Sequence, residues 1–219
     1  MEKLINLLIF IHAFLGGVSL LSGLIALSSR KGKKLHKVAG LFFFYSMLGS
    51  GILAIIVASL PSHESPFLIA IGVFSLYFVI TGFRASRFKR KNVSLLFDKL
   101  ISFVMLVTAV LMIAIPLIFF RQINIVLTTF AGVGFFFALR DLKLYRNPEQ
   151  LREKWIKLHL GKMIGGYISA ATAFVVVNSF FSGFIGWFIP GIIGTFVIIY
   201  WLHKVEKEPV YTPETISKD

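Results

Sequence analysis

Seven long apolar stretches, almost free of charged residues, limit what this chain can fold into. They cover residues 4–28, 38–60, 67–83, 100–120, 123–139, 159–181 and 184–202. An α-helix needs about 20 apolar residues to cross the hydrocarbon core of a bilayer. Irregular backbone facing lipid would leave its polar groups without hydrogen-bond partners. The sequence therefore predicts an all-α polytopic membrane protein, a compact bundle of seven transmembrane helices.

The composition indicates one membrane domain and no soluble domain. Only 15% of the residues are charged and 57% are hydrophobic, whereas soluble domains have about 25% charged residues. The charges are clustered rather than spread evenly along the chain. We expect a transmembrane domain over residues 1–203 and a disordered cytoplasmic tail over 204–219. Because the chain has no cysteine, cysteine-bound metal sites, iron–sulfur clusters and disulfides are excluded.

The distribution of basic residues predicts how the chain lies in the membrane. Of the 23 lysines and arginines, 21 fall in alternate segments, namely 29–38, 84–99, 140–162 and 203–219. Basic loops stay in the cytoplasm and face an anionic leaflet, so we expect these segments inside and the amino terminus outside. The net charge of +13 has this explanation, and no nucleic-acid-binding motif accompanies it.

Two histidines at one predicted depth are the best candidates for a binding site. His36 and His159 begin the second and sixth apolar stretches, on helix faces rich in small residues. Such a pair could ligate a divalent metal or hold haem b between two axial imidazoles. Asp98 and Asp141 fall near the same depth and could be further ligands or hydrogen-bond acceptors for the imidazoles. The alternative is that each histidine bonds lipid phosphate, a carbonyl or a loop at the membrane boundary.

Asp141 has more than one possible partner in the sequence. It follows Arg140 directly and could form a local ion pair with it. It could also reach His159 or Lys162 across the predicted helical hairpin. The spacing does not decide between these arrangements.

A third histidine lies inside the first apolar stretch. His12 is about eight residues from the predicted outer end, which is roughly 12 Å at the helical rise. It shares a face with small residues, namely Gly16, Ser19, Gly23 and Ala26. An ionisable group within a span is a candidate functional residue. The alternative is a structural hydrogen bond to another helix, with Asn178 as the expected partner at a similar depth.

Several motifs together resemble an uncharacterised family of bacterial multi-pass membrane proteins, a domain of unknown function. They are Leu35-His36-Lys37-x-x-Gly40, Asp98, Arg140-Asp141, His159-x-x-x-Met163-x-Gly165-x-Tyr167, and Pro190-x-x-x-Gly194. The resemblance covers nearly the whole chain and implies a helical bundle in the bacterial inner membrane. It implies no activity, cofactor or site residue.

Three functions are compatible with these patterns. The first is a haem- or metal-binding membrane redox protein with His36 and His159 as ligands on the cytoplasmic side. The second is a small-solute or ion transporter that uses His12 and Asn178. The third is a non-catalytic membrane scaffold or accessory subunit. The sequence favours the first.

Overall fold

The computed structural model describes residues 2–207, and within them the chain forms seven α-helices and no β-strand. In chain order the helices are α1 (Glu2–Ser28), α2 (Lys34–Val57), α3 (Pro66–Ala85), α4 (Leu96–Phe120), α5 (Ile125–Leu144), α6 (Pro148–Val177) and α7 (Ile185–Lys207). All seven are long and apolar enough to cross a membrane. The prediction of an all-α polytopic bundle is confirmed.

The helices extend further at the basic loops than the apolar stretches predict. α6 begins at Pro148, eleven residues before the predicted start at residue 159. α7 continues to Lys207, so it includes the first four residues of the predicted tail. The remaining predicted tail, residues 208–219, lies outside the described residues. Hydropathy marks only the lipid-embedded part of a helix, and these helix ends project beyond it.

The early start of α6 has a physical explanation in its first three turns. Asn147 is the N-cap, and its side chain accepts a hydrogen bond from the backbone nitrogen of Gln150 at 3.1 Å. Pro148 occupies the first helical position, where its missing N–H has no partner to lose. Three buried residues at helical spacing then pack against the ends of α3 and α5, namely Leu151, Trp155 and Leu158. This amphipathic segment is polar on its other side, so it does not read as an apolar span.

α3 and α6 occupy the centre of the bundle. α3 contacts α2, α4, α5 and α6, and α6 contacts α1, α3, α5 and α7. α1, α4 and α7 lie at the periphery and expose many large apolar side chains, including Phe10, Phe119 and Phe196. These exposed apolar faces suit contact with lipid rather than water.

Short connections join consecutive helices, so the chain runs back and forth through the bundle. The connections 29–33, 86–95 and 145–147 meet at one end of the bundle, the basic end. The connections 58–65, 121–124 and 178–184 alternate with them along the chain. The basic end therefore collects the residues that the charge pattern assigns to the cytoplasm.

Candidate functional site

A cavity of about 510 Å³ opens at the basic end of the bundle. It lies between α1, α2, α6 and the residues around the end of α3. Its walls are mainly apolar and include the aromatic side chains of Phe43, Phe83 and Tyr167. Both candidate histidines, His36 and His159, line it. The structure thus brings together the two residues that the sequence places at one depth on different helices.

His159 is held by a close contact between α3 and α6. Its Nδ1 lies 2.8 Å from the carbonyl oxygen of Gly82. A Cβ at Gly82 would lie 2.9 Å from the backbone nitrogen of Met163 and 3.0 Å from the Cβ of Lys162. The lack of a side chain at Gly82 therefore allows the two helices to approach closely enough for this hydrogen bond.

His36 is held in the same way by the end of α1. Its Nδ1 lies 3.0 Å from the carbonyl oxygen of Ala26. Ala26 belongs to the last turn of α1, where carbonyl groups have no partner within the helix. The α1–α2 connection is short, which places the first turn of α2 beside this helix end.

These two hydrogen bonds determine which nitrogen of each ring carries the proton. A carbonyl oxygen only accepts hydrogen bonds, so the Nδ1 of His36 and of His159 must be the donor. In the neutral imidazole the Nε2 then keeps its lone pair. Metal-ligating histidines are oriented by this kind of hydrogen bond from the other ring nitrogen. In this tautomer an imidazole can ligate a metal ion or accept a hydrogen bond through Nε2.

Asp98 is committed to an ion pair between α3 and α4. The carboxylate is fully buried and accepts two hydrogen bonds from Arg84, 2.7 Å from its Nε and 2.6 Å from its second terminal nitrogen. A bidentate pair of this kind fixes both side chains. Asp98 is not part of the cavity lining among residues 2–207.

Asp141 is committed to a second buried ion pair, with Lys162 rather than with its neighbour Arg140. The hydroxyl of Tyr77 donates to the same carboxylate oxygen at 2.7 Å. The Nζ of Lys162 also lies 2.9 Å from the hydroxyl of Tyr77 and 3.1 Å from that of Thr81. The Asp141 and Lys162 residues are only 2% and 3% exposed, respectively. This cluster joins α3, α5 and α6 and likewise lies outside the cavity lining described.

No group of three or more histidine, cysteine, aspartate or glutamate side chains in the described part of the chain is placed to hold a metal ion. The four predicted metal ligands therefore do not come together at one site. His36 and His159 face the cavity, whereas Asp98 and Asp141 have cationic partners elsewhere.

His12 and Asn178 do not meet as the sequence predicts. The Nδ1 of His12 lies 2.9 Å from the carbonyl oxygen of Ser50 and 3.0 Å from its hydroxyl, which joins α1 to α2. Asn178 is the C-cap of α6, and its side chain donates to the carbonyl of Phe174 at 2.8 Å. His12 therefore has the structural contact between helices that was the alternative to a functional role, with Ser50 in place of Asn178.

Basic side chains surround the cavity at the basic end. Five line it, and no aspartate or glutamate among residues 2–207 does; the five are Lys31, Lys37, Arg87, Lys89 and Arg90. This excess of positive charge favours an anionic group at this place.

Lys31 has a distinct environment within this set. Its Nζ donates to the carbonyl oxygens of Ala26 at 3.1 Å and Leu27 at 2.6 Å. The same nitrogen lies 3.7 Å from the centroid of the Trp201 ring. Burial, with a smaller contribution from nearby Lys204, lowers the pKa of Lys31 to about 8. Lys31 therefore links the end of α1 to α7 beside the cavity.

Sequence reasoning included Lys162 among the possible partners of Asp141, but it missed the other partners in these groups. Arg84 and Asp98 are 14 residues apart on different helices, and Tyr77 and Thr81 lie inside an apolar stretch. Gly82 gave no signal, because a glycine in an apolar span indicates close packing without indicating which helix approaches it. For Arg84, the available signal was its position at the end of one span opposite an acid at the start of the next.

No protein-family model, curated protein or solved structure matches this chain. The resemblance to an uncharacterised bacterial membrane family therefore stays a prediction.

Proposed function

We propose that this chain is a membrane redox protein that binds haem b in the cavity at the basic end, with His36 and His159 as axial ligands. The observation that carries the proposal is that both histidines line one cavity and both donate Nδ1–H to a backbone carbonyl. Each Nε2 is thereby left with a lone pair and a fixed ring orientation.

The choice of haem over a bare metal ion rests on the number of protein ligands. A structural zinc site takes four protein ligands, and a catalytic site usually takes three. The cavity supplies two imidazoles and no carboxylate from the described residues. A haem brings four nitrogen ligands of its own, so two axial histidines complete six-coordinate iron. Two histidines without further ligands therefore fit haem better than a divalent cation.

The size and lining of the cavity support an organic ligand. A volume of about 510 Å³ lies within the range of roughly 300–1,000 Å³ that is typical of small-molecule and cofactor sites. Phe43, Phe83 and Tyr167 provide apolar and aromatic walls. A haem held by His36 and His159 would supply one-electron transfer, and the apolar walls would limit access of water to it.

Within this proposal the site lies on the cytoplasmic side of a bacterial inner membrane. The support is the concentration of 21 of the 23 basic residues in the alternate sequence segments 29–38, 84–99, 140–162 and 203–219. Basic loops of this length remain in the cytoplasm and interact with anionic lipids. Electrons would then be exchanged with donors or acceptors at the cytoplasmic face.

The proposal is tested by titrating purified protein with haem b in detergent and following the absorption spectrum. We expect one haem per chain with the spectrum of six-coordinate, low-spin iron. His36→Ala and His159→Ala should each lose that spectrum, because either change removes an axial ligand. His63→Ala, which changes an exposed histidine in the 58–65 connection, is the matched control and should behave as wild type. Stoichiometric low-spin binding that survives both cavity substitutions would refute the assignment.

An ion transporter is a second candidate, and a different observation favours it. The Asp141–Lys162 pair is buried among three helices, and ionisable groups within a membrane bundle often mark ion pathways. Proteoliposomes with an internal pH-sensitive dye would test it. Proton flux that disappears in Asp141→Asn would favour transport, whereas wild-type vesicles no leakier than empty ones would remove this candidate.

A further inference from the structure

We propose that the basic mouth of the cavity, defined as Lys37, Arg87 and Arg90, recognises the carboxylate end of an amphiphilic ligand. The inference rests on the proposed function, and for haem b the recognised groups are its two propionates. The site would thus take a ligand with an apolar body and an anionic edge, and it would fix which edge faces the loops.

The three side chains come from two segments that meet at the cavity. Lys37 lies in the first turn of α2, and Arg87 and Arg90 lie in the connection between α3 and α4. All three residues are exposed and also line the cavity. They can therefore contact a group at the opening of the cavity without being transferred out of water.

The positive charge of the mouth is not neutralised within residues 2–207. No side-chain hydrogen bond or ion pair involves Lys37, Arg87 or Arg90 in that part of the chain. The buried acid nearest in sequence to the arginines, Asp98, is already paired with Arg84. Lys31 differs from the mouth residues because its amine is occupied by two carbonyl oxygens of α1.

The deeper wall of the cavity has the opposite character. Phe43 is 2% exposed, and Met163 and Tyr167 pack with it in one apolar cluster. His36 and His159 line the same cavity as these apolar side chains. A ligand therefore meets apolar side chains and imidazoles inside and cationic side chains at the opening. An uncharged metal complex would form no ion pair with the cationic side chains of the mouth. A small inorganic anion would not contact the apolar walls.

Arginine suits this task because its planar guanidinium can bind a carboxylate through two parallel hydrogen bonds. Two arginines match two carboxylates, and Lys37 adds a point charge from the facing helix. Exposed pairs of this kind contribute little individually. Two of them together correspond to about a tenfold difference in affinity, which is about 1.4 kcal/mol.

The experiment compares haem b with its dimethyl ester, in which both propionates are esterified and uncharged. Each compound is titrated into the full-length protein in a neutral detergent at low ionic strength. We expect haem b to bind about tenfold more tightly, and the difference should shrink as salt is added because these charges are exposed. Equal affinity for the two compounds would overturn the inference while leaving haem binding intact.

Variants locate the effect at the mouth. Arg87→Gln combined with Arg90→Gln should reduce the preference for haem b to about twofold or less and should retain the low-spin spectrum, since the axial ligands are unchanged. Arg121→Gln, which changes an exposed arginine in the 121–124 connection, is the matched control and should keep the full preference. A double variant with the full preference would also overturn the inference.

The outcomes separate the inference from the proposed function. If neither compound gives a low-spin spectrum with wild-type protein, the haem proposal fails and the inference falls with it. If both bind through His36 and His159 with equal affinity, only the carboxylate inference fails. The comparison in wild-type protein needs no variant, so a misfolded double variant would not prevent a decision.

Discussion

At the scale of single residues, two backbone carbonyls determine the tautomer and the orientation of the two histidines in the cavity. The oxygens of Ala26 and Gly82 accept Nδ1–H from His36 and His159. Each bond selects one tautomer and one ring orientation, and it leaves the lone pair of the neutral ring on Nε2. The same histidines without these carbonyls would be two boundary residues free to turn toward water.

The titration of Lys31 is a first prediction at this scale. Burial lowers its pKa from 10.5 to about 8, so above pH 8 the folded protein binds fewer protons here than the unfolded chain. Below pH 8 Lys31 is charged in both states, and the full cost of burying its charge lowers the free energy of unfolding. Between pH 8 and 10.5 the folded protein has already released this proton while the unfolded chain keeps it, so the free energy of unfolding rises with pH. NMR of 13C-methylated lysines should show a midpoint near 8 for Lys31.

A matched variant checks the cause of that shift. Lys204 adds a smaller lowering contribution by charge repulsion, so Lys204→Gln should move the Lys31 midpoint upward. Arg146→Gln removes an exposed charge from the 145–147 connection and should leave it in place. A Lys31 midpoint near 10.5 in the wild-type protein would contradict its half-buried position.

The buried ion pair gives a second prediction. Asp141→Asn should lower the free energy of unfolding by about 3 kcal/mol, because it leaves the ammonium of Lys162 buried without its counter-charge. Combining it with Lys162→Met should recover part of the loss, since both charges are then absent. Thermal unfolding in detergent, followed by circular dichroism, measures both. If the double variant loses as much free energy of unfolding as Asp141→Asn and Lys162→Met lose in sum, or more, the result would be inconsistent with a direct pair.

The residue types of the site could be predicted from the sequence, but most of their partners could not. His36 and His159 stand out because ionisable groups are scarce in this chain. The pairing of Asp141 with Lys162 was one of several open possibilities, and the packing of α5 against α6 decides it. Tyr77 and Thr81 become visible only when α3 is placed beside that pair.

At the scale of helices, the contact between α3 and α6 organises both the ion pair and the cavity. Thr81 bonds Lys162, and the adjacent Gly82 bonds His159. One turn of α3 therefore contacts both Lys162 and His159 on α6. A change in the distance between these two helices would affect the cavity and the core together.

A substitution at Gly82 tests this contact. Gly82→Ala places a Cβ 2.9 Å from the backbone nitrogen of Met163, so the helices must separate. Overpacking of this kind costs about 1–3 kcal/mol, and haem affinity should fall because His159 loses its fixed carbonyl partner. Thermal unfolding and haem titration measure the two effects.

The control for that substitution lies on α6 itself. A Cβ at Gly161 would meet nothing within 4 Å, and alanine is favoured over glycine within a helix by up to about 1 kcal/mol. Gly161→Ala should therefore keep or slightly raise stability and leave haem affinity unchanged. Equal effects of the two substitutions would show that Gly82 has no special role.

The existence of the helices follows from the apolar stretches, whereas their ends follow from local chemistry. Asn147 and Pro148 start α6 far outside its apolar part. Asn124 caps α5 by accepting from the backbone nitrogen of Leu127 at 3.0 Å. Hydropathy does not detect a cap, and for that reason the segment 140–158, between the fifth and sixth apolar stretches, contains the end of α5 and three turns of α6.

At the scale of the whole molecule, the bundle is divided into an apolar periphery and one strongly basic end. The predicted consequence is a fixed orientation with the basic end in the cytoplasm. The chain has no cysteine, so Lys33→Cys and His63→Cys each create a single reactive thiol. A membrane-impermeant maleimide added to intact cells should label position 63 and not position 33. Labelling of both positions from outside would contradict the topology.

The central claim, a haem held between His36 and His159, is tested most directly by one spectrum. The full-length protein is purified from membranes of cells supplied with a haem precursor, and its dithionite-reduced minus oxidised difference spectrum is recorded. The account predicts the sharp bands of six-coordinate low-spin haem b at about one haem per chain. A protein that is colourless under these conditions and gains no such bands on addition of haem b would contradict it.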